Sequence, residues 1–225
     1  LLNEFYGIEE CKLTLIYNGL IDQAIFLDEV ERMQRKRDLF FGEGEKLILF
    51  VGRLDDIKGV DYLIEAFAKV IKKSSNTRLL IVGDGNYSRY LQMSADIWSR
   101  ITFIGKISKQ KLYEFYQIAD VGVMPSFHEQ CSYVAIEMMM HGLPLIITNT
   151  TGLSEMIHHQ NVECRLILKE DQNELRLSVE ELSKCLLKIV TDDCWAREVG
   201  KLNRCRYKDA FSLEKMRMAF ESFYS

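Results

Sequence analysis

Short apolar runs that alternate with helix-period stretches limit what this chain can fold into more firmly than any single motif does. Residues 47–51, 79–82, 101–104, 121–124, 145–147 and 164–168 read as strands, the apolar ones as strands buried on both faces. Between them, residues 60–73, 87–96, 109–118, 133–140 and 153–157 read as helices. In the first of these Val60, Leu63, Ile64, Phe67 and Ile71 recur at helical spacing, and in the third Leu112, Phe115 and Tyr116 share one side. A parallel neighbour strand can be reached only by crossing back over a face of the sheet, so strand, helix, strand in this order builds a parallel sheet. The class is α/β: a Rossmann-like parallel sheet of about six strands flanked by helices.

Beyond residue 168 the chain reads as helical over 178–190, 193–205 and 212–223. Ser178 and Ser212 sit at N-cap positions, and Glu181 completes a capping box with the first. Upstream, 13–17 reads as an isolated strand, and the charged stretch 29–38 as a solvated helix or linker. The expected division is a hinge-side segment and linker (1–45), the Rossmann-like domain (46–205) and a C-terminal helix (206–225). Because the chain opens at Leu1 rather than Met, it reads as an excised fragment. No run approaches the ~18–20 apolar residues of a membrane span. The cysteines (Cys11, Cys131, Cys164, Cys185, Cys194, Cys205) are scattered without a C-x-x-C pair, which suggests neither zinc nor a disulfide framework and fits reduced thiols in a cytoplasmic protein.

A net charge of −4 offers no bulk field for nucleic acid or anionic lipid. An anionic ligand must be held locally, by individual cations and backbone N–H groups. In open α/β sheets ligands sit beyond the carboxyl ends of the strands, so the turns there carry the information. The first is Gly52-Arg53-Leu54-Asp55-Asp56-Ile57-Lys58-Gly59, two cations between glycines. Arg offers a planar fork and Lys a point charge, which suits a diphosphate, and the same turn would also serve as a solvated turn with an Asp–Lys pair. The turn after 121–124 runs Ser126-Phe127-His128-Glu129-Gln130-Cys131-Ser132 into a helix carrying Glu137. That helix start, near Ser132, Tyr133 and Val134, would aim N–H groups at a phosphate and leave Glu137 within reach of ribose hydroxyls, although glutamates also favour first turns for stability alone. The third, Gly83-Asp84-Gly85, has Ser88 in place of the last glycine of G-x-G-x-x-G and reads as a tight turn rather than a nicotinamide fingerprint. His128 reads as a sugar contact or an exposed loop residue. His141, His158 and His159 read as surface or helix-end side chains.

Taken in order and spacing, "VGRLDDIKGVDYLIEAFAKV", "LLIVGDG", "ITFIGKIS", "LYEFYQIADVGVMPSFHEQCSYVAIEMMMHGLPLIIT" and "GLSEMI" resemble the retaining GT-B glycosyltransferases, the large group 1 family that includes sucrose synthase and bacterial mannosyl- and glucosyltransferases. "LIYNGLID" is similar to the stretch by which such proteins enter this half of the fold. The resemblance implies a donor domain for a nucleotide-diphosphate sugar. Arg53 and Lys58 would hold the diphosphate, Glu137 the ribose, and Glu129 would lie beside the anomeric carbon. Backbone around Gln130, Cys131, Ser132, Tyr133 and Val134 would meet sugar and phosphate, the base would rest near Lys106 and Ile107, and Gly52 and Gly83 would shape the cleft floor. It implies no metal and no cofactor, and an acceptor (a sugar, a lipid-linked sugar or a protein) held by a separate N-terminal domain, without which this chain would be inactive. By the same resemblance the last helix crosses to that domain, leaving Met216, Phe220 and Phe223 exposed, and the full protein is cytoplasmic or peripheral at the inner membrane.

The family commonly has an aromatic residue and a glycine where this chain has Cys131 and Ser132, which leaves the sugar open. Glu129 acts either as nucleophile or as a carboxylate that steadies positive charge while the acceptor attacks from the leaving-group face, and the second is the reading adopted. Rival readings are a GT-B nucleotide-sugar epimerase, a non-catalytic nucleotide-sugar-binding module, and a flavodoxin-like signalling domain, the last disfavoured by cations where an acidic cluster would be needed.

Overall fold

A computed structural model describes residues 5–157, 159–172 and 174–224. The expected alternation folds into strands β1 (Lys46–Val51), β2 (Thr77–Val82), β3 (Ile101–Gly105), β4 (Val121–Met124), β5 (Leu145–Thr148) and β6 (Arg165–Leu166). These form one parallel six-stranded sheet in the order β3-β2-β1-β4-β5-β6. The order reverses between β1 and β4, and there the connections leave to opposite sides and open a crevice.

The helices, in chain order, are α1 (Glu29–Asp38), α2 (Val60–Val70), α3 (Tyr87–Met93), α4 (Lys109–Ile118), α5 (Tyr133–Met140), α6 (Thr151–Ser154), α7 (Val179–Thr191), α8 (Asp193–Arg206) and α9 (Leu213–Tyr224). Successive side chains of a strand point to opposite faces, and β1 shows the result: Ile48 and Phe50 join the core beneath α2 and α7, Leu47 and Leu49 the core beneath α4 and α5. Both faces are dry, as a wholly parallel sheet requires.

Several expectations are corrected. Residues 13–17 form no strand; Leu15 is exposed, and Tyr17 instead packs its ring on Phe211 at 5.1 Å. The helix expected to reach 96 ends at Met93, where Ser94 turns its hydroxyl back onto the Tyr90 carbonyl at 2.8 Å. The helix over 60–73 stops at Val70, the one over 153–157 lies at Thr151–Ser154, and the last strand shrinks to Arg165–Leu166. A charged hairpin, Lys169–Asp171 with Glu174–Arg176, was not foreseen. His141 closes α5 as expected of a helix-end histidine but is buried; His159 is exposed, and His158 lies outside the described residues. Met216 is half-buried, its sulfur accepting from the Gly19 N–H at 3.2 Å, whereas Phe220 and Phe223 are exposed. Among the described residues no helix is long and apolar enough to cross a membrane.

The stretch read as solvated is a helix with one anchored face. Asp28 and Glu31 cap α1 reciprocally. Arg32 donates to the Ile118 carbonyl at 2.6 Å, and the buried Lys36 ammonium donates to the Glu45 carbonyl at 2.6 Å and to Asp120 at 3.4 Å. Just past the helix, after its C-cap Leu39, stands Phe40, which has φ 63° and is 97% exposed. A large side chain in the left-handed region that buries nothing adds strain without packing, so Phe40→Gly is expected to stabilise the fold by about 1 kcal/mol. A urea midpoint that stays put or falls in the variant would contradict this.

Candidate functional site

The carboxyl ends of β1 and β4 lie side by side, and the turns leaving them are sewn together. Phe127 N–H donates to the Ile57 carbonyl at 2.7 Å, and the Tyr62 and Phe127 rings meet at 5.2 Å. Gly59 (φ 64°) presses against Pro125 so closely that a Cβ there would stand 2.2 Å from the Pro125 carbonyl oxygen. From the far side Thr148 donates its hydroxyl to the Ser126 carbonyl. This stitching brings Lys58 and Glu129 into an ion pair with only 17% and 15% of their side chains exposed. The two charges straddle the point where strand order reverses.

Asp55 organises the rest of the first turn. Its carboxylate accepts from Lys58 N–H at 3.1 Å and pairs with Arg53 at 3.1 Å. Arg53 remains on the solvent side, 73% exposed, and is not drawn into the Lys58–Glu129 pair. Arg89, from α3, pairs with Asp56 and tethers the same turn from outside.

At the ends of β1 and β2, Gly52 and Gly83 meet backbone to backbone, and Tyr87 donates its hydroxyl to the Gly83 carbonyl. Gly52 N–H donates to Val82 and Gly83 N–H to Gly105, at 2.9 and 3.0 Å. Gly83 has φ 145°, and a Cβ on it would fall 1.7 Å from the Gly52 carbonyl oxygen. No other residue fits there.

On the β4 side, Ser132 caps α5 by accepting from Ala135 N–H at 3.2 Å. Gln130 and Tyr133 are exposed, Cys131 and Val134 half-buried, and the Cys131 sulfur accepts from the Asn18 amide at 3.5 Å. His128 is exposed, and the half-buried Ile107 packs its side chain against the core. Glu137 is 8% exposed. Three residues of α4 reach its carboxylate: Lys109 at 3.2 Å, Tyr113 at 3.4 Å and Tyr116 at 3.1 Å. Sequence reasoning missed these three, along with Asp55 and Asn18. The spacing of Lys109, Tyr113 and Tyr116 at i, i+4 and i+7 was the available signal, hidden because Tyr116 reads as part of an apolar helix face.

The model of the glycosyl transferases group 1 family matches residues 45–185. An uncharacterized glycosyltransferase of Methanocaldococcus jannaschii is 34% identical over 160 residues, covering 69% of this chain and 41% of that protein. The solved sucrose-phosphate synthase of Thermosynechococcus elongatus aligns with a TM-score of 0.77 at 26% identity, over 94% of this chain and 51% of that one. The Anabaena protein HepE, solved in complex with UDP, aligns with a TM-score of 0.78 at 16% identity over 94% of this chain and 57% of that one, a likeness of fold. The chain thus spans about half, or less, of the length of these relatives. It belongs to the group 1 family of GT-B glycosyltransferases, and its sheet is one Rossmann-like half of that fold.

Proposed function

We propose that this chain is the donor domain of a retaining glycosyltransferase, binding a nucleoside-diphosphate sugar across the β1/β4 crevice while a second domain presents the acceptor. The observation that carries this reading is the Lys58–Glu129 pair astride the switch point. A cation and a carboxylate there match the two ends of the bond that breaks, the diphosphate gaining negative charge and the anomeric carbon positive charge. The UDP held by the Anabaena relative supports the ligand class.

In this reading Lys58 exchanges Glu129 for a phosphate oxygen as the donor enters. Arg53, already exposed, closes on the same diphosphate, and backbone from Gln130 to Val134 meets sugar and phosphate. These two cations supply the charge that a metal ion would otherwise provide. Glu129 is then left beside the sugar, where its charge steadies the oxocarbenium-like centre. The anomeric C–O bond breaks with its electrons passing to the diphosphate. The acceptor oxygen bonds to the same face, and its proton goes to the departing phosphate oxygen. Glu137 takes the ribose, and backbone near Lys106 and Ile107 the base.

The test is a calorimetric titration of the chain with UDP-, GDP-, ADP- and dTDP-sugars beside an Arg53→Ala/Lys58→Ala double variant whose fold is checked by circular dichroism. One nucleotide series should bind, and the folded variant should lose about 100-fold or more in affinity, as two charge-assisted contacts of about 1.5 kcal/mol each imply. Equal binding by the variant would rule out the diphosphate site.

A further inference from the structure

The Glu137 carboxylate is held by three side chains of a neighbouring helix. Along α4, Lys109, Tyr113 and Tyr116 form a stripe whose polar ends all meet it. Lys109 Nζ and the Tyr113 hydroxyl approach Oε1, and the Tyr116 hydroxyl donates to Oε2 at 3.1 Å. Tyr116 is only 1% exposed. Burial, and after it the charge of Glu137, pushes its hydroxyl well above the usual phenol range, so it stays a donor at neutral pH. One turn beyond Glu137, the His141 ring packs on both tyrosine rings, with centroids 4.7 and 5.1 Å away, while its Nδ1–H donates to the Glu137 carbonyl at 2.8 Å. The tyrosines are therefore fixed before they fix the carboxylate.

An ionised carboxylate has about four lone-pair positions, and those not taken by α4 are what a ligand can use. Lys109 also begins the helix capped by Ser108, directly after Ile107, so the loop proposed for the base leads straight into the helix that holds the carboxylate proposed for the ribose. Resting on the donor-domain reading above, we propose that Tyr116 and Lys109 are positioning residues that aim Glu137 at the ribose hydroxyls of a nucleoside diphosphate.

The chain is titrated with UDP, GDP and ADP and with their 2′,3′-dideoxy counterparts, comparing the parent with Tyr116→Phe and Lys109→Met. The first variant removes one oxygen and keeps the ring, and the second changes a half-exposed side chain, so both should fold. The parent should favour the ribose form of the diphosphate it binds, and each variant should lose about tenfold of that preference, the worth of one charge-assisted hydrogen bond, with dideoxy affinity unchanged. A variant that keeps the parental preference, or weakens both forms equally, overturns the positioning role alone. A parent that binds none of the three diphosphates, nor dTDP, overturns the donor-domain reading and this inference with it. A parent that binds but does not distinguish ribose from dideoxyribose removes Glu137 from the ribose site.

Discussion

Glu129→Gln, introduced into a GT-B enzyme that carries this domain together with its acceptor half, is expected to lower turnover by about 10²–10³, the usual cost of removing one preorganised electrostatic contact to a transition state. The amide keeps the shape of the side chain and removes its charge, so the loss should appear in kcat more than in KM. Binding should move the other way. In the ligand-free chain Lys58 is neutralised by Glu129, both side chains being mostly buried. Without that partner the ammonium is open to phosphate, and the variant domain should bind a nucleoside diphosphate lacking its sugar several-fold more tightly than the parent, roughly 1 kcal/mol for one released charge pair. Steady-state kinetics and calorimetry measure the two effects separately. Unchanged turnover would remove Glu129 from the chemistry, and weakened diphosphate binding would show that the pair does not compete with the ligand.

Asp120→Ala is the substitution expected to cost the fold most, about 3–5 kcal/mol, because it strips the buried Lys36 ammonium of its carboxylate. Asp120 accepts from Leu47 N–H at 2.8 Å and pairs with Arg32 at 3.0 Å, Lys36 at 3.4 Å and Lys46 at 3.7 Å. Burial holds the Lys36 ammonium below the usual lysine range, with Arg32 and Lys46 adding to the depression and Asp120 opposing it. A folded-state value below the unfolded one means that the unfolded chain binds more protons between the two, so stability rises with pH across that window. Removing Asp120 depresses Lys36 further and widens the window downward. The variant should therefore recover part of its loss on moving from neutral to alkaline pH, measured as the difference from the parent so that other groups cancel. A loss below about 1 kcal/mol, as for an exposed pair, would show that the cluster is solvated.

The sheet was legible because its central strands β1, β4 and β5 are buried on both faces and therefore almost wholly apolar, with glycine, proline and charge between them. Arg53, Lys58, Glu129 and Glu137 stood out because they occupy the turns and the helix start at the strand ends. Their partnerships did not, since Lys58 and Glu129 are brought together by contacts such as Phe127 with Ile57 that have no signature in either segment. The Glu29–Asp38 helix misled for a related reason. Lys and Arg look alike in sequence whether solvated or aimed at a carbonyl, and only the fold places Lys36 under Glu45 and Asp120. Residues 13–17 alternate like a strand, but no edge of the sheet lies beside them to complete a ladder. The charged hairpin after β6 carries no apolar alternation at all.

The contact between Gly52 and Gly83 bears on chemical intervention. Since a Cβ at 83 would stand 1.7 Å from the Gly52 oxygen, residue 83 itself can present only main chain. An inhibitor seated on it would meet main chain that point mutation cannot exchange, because every substitution at residue 83 damages the fold before it repels the compound. Resistance would have to arise at side chains beside this patch that carry no charge to the ligand, such as the exposed Tyr133, and compounds anchored on the glycine contact should be the slowest to lose potency under selection.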